Sequence, residues 1–518
     1  MEKILYAALA GAALLVLAGC GIKKEDSLLN AVIGKVSRPK AIEQKERKDD
    51  WAGTVELSGI KGETLTVATE DAKPVRITFT NENEKREWES YTGGADADYE
   101  IAAIEGDAPE AFRKIIDDYN AWVSENLESE LTEGRARWEL YHASDPDGYI
   151  ALTPHIGMGL CRSDTSVLSY VTAIHRYNRD YEPDDTFVHG HTYDAQSGRE
   201  LSINDFVTDP EKLAVLVCKA LKTENANYSD EISDRYLDAG FQKRVLESIN
   251  GCRDDGRFAW AVNPAGFDFY FTDPFYQSEY LNHETEHAFV PFTACREFLF
   301  QDVTVSYDHI LLTKREHLAE LCGISGKLSH EKDNAYYTYL VQKDGETYLY
   351  LCEDEETQAY RVKDGRAEYV GSIRGVLADW NRDCYAKIIE PDHFVINTEA
   401  FLVREMNSLS APARIGENGV PELLDLFRED YNVEPMSAEE SFEAEVFENE
   451  EDEEPKVETI EAYTWMNFVR TDAETFIDME MDDERICRLY VTGNYEDGFI
   501  VNGHPAEEIL NLQGWLEE

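Results

Sequence analysis

Thr192-Tyr-Asp-Ala-Gln-Ser-Gly-Arg-Glu-Leu-Ser-Ile-Asn-Asp-Phe206 reads as a strand, a Ser-Gly turn, and a second strand running into an acidic-aromatic stop. Working outward, Ser166 to Tyr177, Phe187 to Tyr193 and Gly266-Phe-Asp-Phe-Tyr-Phe271 are rich in β-branched and aromatic residues and read as further strands. Helices lie between and around them. Asp107-Ala-Pro-Glu110 is a capping start, and Phe112, Ile115, Ile116, Tyr119, Trp122 and Val123 follow at helical spacing on one face. Asp209-Pro210 opens a second helix carrying Leu213, Leu216, Val217, Ala220 and Leu221. A third is expected from Ser229 to Gly251, with Ile232, Tyr236, Leu237, Val245 and Ile249 on its stripe. The fold class is therefore α+β, with residues 101–300 as a central domain.

The flanks are strand-rich. Thr54-Val-Glu-Leu57, Thr64-Leu-Thr-Val67 and Val75-Arg-Ile-Thr-Phe79 alternate with period two, so residues 51–100 are expected to form a β-rich segment. Tyr336 to Val341, Thr347 to Leu351 and Gln358 to Val362 are joined by turns at Lys343-Asp-Gly345 and Lys363-Asp-Gly365, which predicts hairpins. Residues 301–435 thus read as a mainly antiparallel β region. Residues 436–459, dominated by Glu and Asp and ending near Pro455, read as an acidic linker. Residues 460–518 read as a small C-terminal α+β module with a terminal helix from His504 to Trp515.

The N-terminus supplies an address. Ile4 to Leu17 is almost entirely apolar but falls short of the ~20 residues a spanning helix needs. It fits the apolar core of an export signal. Leu17-Ala18-Gly19-Cys20 closes it and resembles the lipobox of bacterial lipoproteins. That resemblance implies a diacylglyceryl group on the Cys20 sulfur, cleavage just before it, and a protein anchored in the cell membrane and exposed on its outer side. Residues 1–20 are then signal and lipidation site. Residues 21–50 carry Lys23, Lys24, Lys35, Arg38, Lys40, Lys45, Arg47 and Lys48 among acids, and read as a solvated tether beside the anionic membrane.

Charge bounds the partners. The 518-residue chain has 105 acidic against 49 basic residues, a formal net charge of −56. Such a surface repels nucleic acid and attracts cations and basic proteins. Eight cysteines remain after Cys20, at 161, 218, 252, 295, 322, 352, 384 and 487. An oxidising compartment permits disulfides among them, and buried free thiols account for them equally well. None forms a C-x-x-C unit.

In order along the chain, Asp164-Thr-Ser-Val-Leu-Ser-Tyr170, Thr192 to Phe206, Asn263-Pro-Ala-Gly-Phe-Asp-Phe-Tyr-Phe271 and Phe289-Val-Pro-Phe292 form a further pattern. Together they resemble the extracellular domain shared by lysozyme-sensing anti-sigma-V proteins and peptidoglycan-deacetylase-C-type proteins. The chain departs from that pattern at Asp184-Asp-Thr-Phe-Val-His-Gly-His191, where the family commonly has a Gly-Gly-Ala-His-Gly turn. The resemblance implies a non-catalytic binding domain whose ligand is a basic protein such as lysozyme, or cell-wall glycan, with no cofactor.

The competing motif is His283-Glu284-Thr285-Glu286-His287, which satisfies H-E-x-x-H. On a helix, His283 and His287 would share one face and could hold zinc, with Glu284 as the base that polarises bound water. That would make the chain an exported zinc hydrolase. Phe289-Val-Pro-Phe292 reads as a strand immediately after it, which favours exposed turn residues instead. His189 and His191, two apart, share one face of a strand. Asp145-Pro-Asp-Gly148 matches part of a calcium loop and reads as a plain turn. No G-x-S-x-G, phosphate loop or dinucleotide fingerprint is present.

Overall fold

Among the described residues the first strand begins at Arg76, and what precedes it is held by side chains and by backbone bonds of Lys73 and Val75 to Thr165 and Ser163. The computed structural model describes residues 63–88, 93–142, 150–178, 185–224, 235–251, 256–272, 286–313, 315–325, 328, 337–353, 356–377, 390–401, 406–429, 435–452, 454–494 and 498–511. All of them belong to one unit, Lys61–Glu518. Cys20 and Thr54 to Leu57 lie outside the described residues.

The first sheet has the order β1(Arg76–Glu87), β2(Gly93–Glu105), β3(Ile150–Ser163), β4(Val167–Asn178), β5(Asp185–Asp194). Pairing is antiparallel except between β2 and β3, which run parallel. A parallel step requires a crossover, and α1(Glu110–His142) provides it, 33 residues long. Phe112, Ile116, Tyr119, Val123 and Leu131 on its stripe are buried against Ala97, Ile156, Met158 and Leu168 of the sheet. The helix opens later than the capping start suggested: Pro109 accepts the Arg113 amide at 3.1 Å, and Asp107 stays exposed.

Behind the opposite face lies a three-stranded antiparallel sheet, β6(Phe258–Val262), β7(Gly266–Phe271), β8(Glu286–Pro291). Cys161, Val171, Ala173 and Val188 of the first sheet meet Ala259, Ala261 and Tyr270 there. The approach is close. A Cβ on Gly190 would stand 2.2 Å from the Trp260 carbonyl oxygen, so only glycine fits between the two β5 histidines. The other side of β6–β8 is covered by α2(Pro210–Glu224) and α3(Ala239–Ile249). Asp209 accepts from the Lys212 amide at 3.0 Å, as expected of a cap. The third helix is shorter than expected, because Asp238 caps it and residues 235–237 form a separate 3-10 turn.

Downstream, β9(His309–Thr313), β10(Tyr337–Lys343), β11(Glu346–Glu353), β12(Glu356–Lys363) and β13(Arg366–Arg374) form an antiparallel meander. The Asp-Gly turns hold: Asp344 and Gly345 have φ of 52° and 78°, Asp364 and Gly365 of 50° and 69°. Positive φ at both central residues matches the right-handed strand twist. One face of the meander joins a core that continues through residues 394–415 and 442–510.

Four expectations need correction. The boundary at residue 100 falls inside β2, so the β1–β2 hairpin belongs to the same sheet as β3–β5. Thr64 to Val67 does not pair as a strand; the Leu65 amide donates to Gln301 at 3.1 Å and the Thr66 amide to Asp194 at 2.7 Å. Residues 436–459 are no linker, since Phe442–Phe447 and Lys456–Ile460 pair within an eight-stranded sheet. There Phe442, Ala444 and Val446 point inward at 4% exposure each, so period-two burial outweighs the acid content. Among the described residues of the C-terminus the helical ones are Ala506–Ile509, preceded by strand residues His504–Pro505. The class is α+β, with strands predominating.

Candidate functional site

The quoted segment is stitched together by Asp194. Its Oδ1 accepts the Gln196 and Ser197 amides at 3.1 and 2.9 Å, and its Oδ2 takes Thr66. Burial alone would raise this carboxyl, but those amide bonds from Ser197 and Thr66 hold it below the usual carboxylate range. The turn ends at Gly198, whose φ of 70° is left-handed. Glu200 then makes only a single bridge to Tyr193 rather than the second strand expected, and Ser202 and Asp205 form a capping box on a 3-10 turn.

That turn closes one end of a cleft of about 350 Å³ between α1 and strands β4 and β5. The helix contributes Ala111, Lys114, Ile115, Asp118, Tyr119 and Trp122. Facing them are Tyr170 and Thr172 of β4, His191 and Tyr193 of β5, and Ser197 and Gly198 of the turn. Antiparallel register places Tyr170 directly opposite His191. The rings of His191 and Tyr193 are parallel within 4°, centroids 6.3 Å apart, because residues two apart share a strand face. Tyr170 lies 6.2 Å from Tyr193 and 6.1 Å from Tyr119, and Tyr119 stacks 6.1 Å from Trp122. Tyr119 and Tyr170 are buried and form the floor; Trp122, His191 and Tyr193 are half-exposed and form the walls.

The polar groups are few and distinct. Lys114 and Asp118 are exposed at the mouth, one helical turn apart. His191 Nε2 is 3.4 Å from the Thr172 hydroxyl, while its buried Nδ1 has no hydrogen-bond partner. That Nδ1 stands 3.8 Å from Glu200 Oε1, beyond hydrogen-bond range. Its closeness still holds the Glu200 carboxyl below the usual range against the opposing effect of burial. Burial first, and Glu200 next, push the Tyr193 phenol upward, and burial does the same to Tyr170 and Tyr119, so all three stay neutral hydroxyls. An arrangement of aromatic faces with a few convergent polar groups can hold a guest by stacking and hydrogen bonding.

The sequence motifs fall elsewhere. His283, Glu284 and Thr285 lie outside the described residues, as does Asp145 to Gly148. Glu286 and His287 open strand β8. The Tyr236 hydroxyl donates to Glu286 Oε2 at 2.7 Å, and His287 Nε2 is 2.8 Å from Oδ1 of the buried Asp268. Asn263 donates to the other Asp268 oxygen at 2.6 Å. Among the described residues no group of three or more His, Cys, Asp or Glu side chains is placed to hold a metal. His287→Ala, which strips a hydrogen-bond partner from Asp268, is expected to cost about 1–3 kcal/mol. It should leave the metal content of the purified protein unchanged, as measured by denaturant titration and elemental analysis; loss of stoichiometric zinc would favour the zinc hydrolase.

Cys161, Cys218, Cys295, Cys322, Cys352 and Cys487 are free thiols, and Cys252 and Cys384 lie outside the described residues. Burial pushes Cys218 and Cys295 up to about 12 and Cys352 up to about 11, so these are unreactive core residues. No helix among the described residues is long and apolar enough to cross a membrane.

No family model matches this chain, and no curated protein matches it. Two solved structures are similar in part. A DUF3298-family protein from Bacteroides fragilis NCTC 9343 is 13% identical, covering 45% of this chain and 95% of its own, with a TM-score of 0.32. A DUF3298-family protein from Pseudomonas aeruginosa PAO1 is 11% identical, covering 45% and 99%, with a TM-score of 0.29.

Proposed function

We propose that this chain is a bacterial surface lipoprotein, held to the outer face of the cell membrane through lipid on Cys20, which binds a basic protein such as lysozyme or cell-wall glycan without chemistry of its own. Its central α+β domain does the binding and stands ahead of a mainly antiparallel β region. The observation that carries this reading is the cleft between α1, β4 and β5, whose aromatic walls and sparse polar groups suit recognition. The net charge of −56 supports it from a distance, because an acidic surface steers a basic partner inward.

The test is a salt series. Full-length protein, immobilised in a detergent or lipid layer, should bind a basic lysozyme saturably, with an on-rate that falls steeply as salt rises. Screening is the reason: the Debye length shrinks from ~10 Å at 0.1 M to ~3 Å at 1 M, so long-range attraction is lost first. Off-rates should change less, because packing at the contact is screened weakly. Polylysine competing as effectively as lysozyme would reduce the association to nonspecific charge pairing. Absence of saturable binding to lysozyme and to purified peptidoglycan alike would remove the proposal.

A further inference from the structure

A binding cleft leaves open what fills it, and four features narrow the choice. The first is size: about 350 Å³ sits at the small end of the ~300–1,000 Å³ usual for ligand clefts, so the guest is compact. The second is shape. The rings of His191 and Tyr193 lie parallel within 4°, two residues apart on one face of β5. Parallel aromatic faces suit a guest with a flat, C–H-rich face, since aromatic faces carry negative charge density that attracts C–H edges. The third is hydrogen bonding. Thr172, Lys114 and Asp118 offer both donors and acceptors along the cleft. A purely apolar guest would cover these groups without pairing them, at the usual cost of an unsatisfied polar group. The fourth is charge. Lys114 and Asp118 stand at the same mouth with opposite charges that offset each other, so the cleft carries no net charge to draw in a cation or an anion, although the rings alone would make a cage for a cation.

We infer that the cleft is a subsite for one uncharged pyranose ring of a glycan, with its apolar face against the rings of His191 and Tyr193 and its hydroxyl or acetamido edge turned toward Thr172, Lys114 and Asp118. This rests on the proposal that the central domain is a binding domain, and it names the ligand class of that domain. Trp122 closes the opposite wall, so the ring is held between helix and strand.

The experiment measures binding to full-length protein in detergent by calorimetry and Trp fluorescence, using a β-1,4-linked N-acetylglucosamine tetramer as probe and maltotetraose for comparison. Saturable binding of the N-acetylglucosamine tetramer is expected, weakened at least tenfold in Tyr193→Ala and in Trp122→Ala. Tyr193→Phe, which keeps the ring, should retain most of the affinity. Circular dichroism reports whether each variant folds, and Trp122→Ala alone suffices if Tyr193→Ala does not. Equal affinity in wild type and both alanine variants places the sugar elsewhere and overturns the inference. If neither sugar binds while lysozyme still does, the inference fails and the proposed function stands; if sugars, peptidoglycan and lysozyme all fail, both fall. A trilysine peptide that binds and is lost in Tyr193→Ala, with no sugar bound, makes the cleft a cation cage and also overturns the inference.

Discussion

Asp164→Ala is expected to destabilise the Lys61–Glu518 unit by about 3–5 kcal/mol, the range for removing one partner of a buried ion pair. Arg162 and Asp164 are both fully buried, with Nε 2.7 Å from Oδ2. The guanidinium also donates to the Val303 carbonyl at 2.7 Å and the Ser166 hydroxyl at 3.2 Å. Asp164 further accepts the Ser166 and Val167 amides at 2.7 and 2.8 Å and the Tyr307 hydroxyl at 3.0 Å. The network ties the β3–β4 turn to residues 303–307, which lead into β9. Alanine leaves the Arg162 charge buried and unpaired. Replacing both partners together, as Arg162→Met with Asp164→Leu, should recover much of the loss, because apolar residues of similar volume remove the desolvation penalty. Urea titration of the three proteins checks this; a loss under ~1 kcal/mol in Asp164→Ala would show that the pair is solvated.

The same network sets an acid limit. Burial pushes the Asp164 carboxyl up, but the Arg162 charge, the Ser166 hydroxyl and the Val167 amide outweigh it and leave it below its ordinary value. A depressed folded value means that the unfolded chain binds protons more readily. Stability from this group is therefore fully present above the unfolded value, ~3.9 for Asp, and is lost as pH falls through the lower folded value. Asp194 and Asp205 are lowered as well, against burial, by hydrogen bonds from Ser197 and Thr66 and from Glu63 and Ser202. Unfolding below about pH 4 should accordingly be steep in the wild type and shallower in Asp164→Ala.

Cys20→Ala or Cys20→Ser is expected to abolish lipid labelling completely and to move the protein out of the membrane fraction. Each buried methylene of an acyl chain contributes ~0.8 kcal/mol, and stable anchoring takes two chains, which a diacylglyceryl group supplies. The lysines and arginines of residues 21–50 add only about 1 kcal/mol each near an anionic surface, and the acidic body opposes them. Labelling with a radioactive fatty acid followed by fractionation decides it. Label retained in the variant would move the lipid to another residue, and an unlabelled wild type would remove the anchor.

Local pattern was legible wherever one face of an element was buried. The α1 stripe, the Asp209 cap, the Asp-Gly turns of the meander and the strand at Phe289 could all be read along the chain, because helix and strand periods leave their mark on apolar spacing. Residues 436–459 mislead for a related reason. Glu443 and Glu445 take the outward positions of a strand and most of the other acids lie outside the strands, so composition points to a linker while Phe442, Ala444 and Val446 keep the alternation of a buried face.

The cleft was not legible in this way. Tyr119 and Trp122 sit in the same helical stripe as Phe112 and Val123, and spacing says which residues share a face without saying what lies across from it. Only the tertiary structure decides that Tyr119 becomes a floor and Trp122 a wall. His191 could be placed on a strand face with His189, yet its meeting with Tyr170 depends on the β4–β5 register, and one residue of slip in β5 would turn His191 to the other face, away from Tyr170. By itself the sequence determined the α+β class, the apolar stripe of α1 and the start of α2 at Asp209-Pro210, all of which depend on neighbours within a few turns of chain. The cleft, the buried Arg162–Asp164 pair and the bond between His287 and Asp268 join residues that only long-range packing brings together, and no local period encodes that partnership.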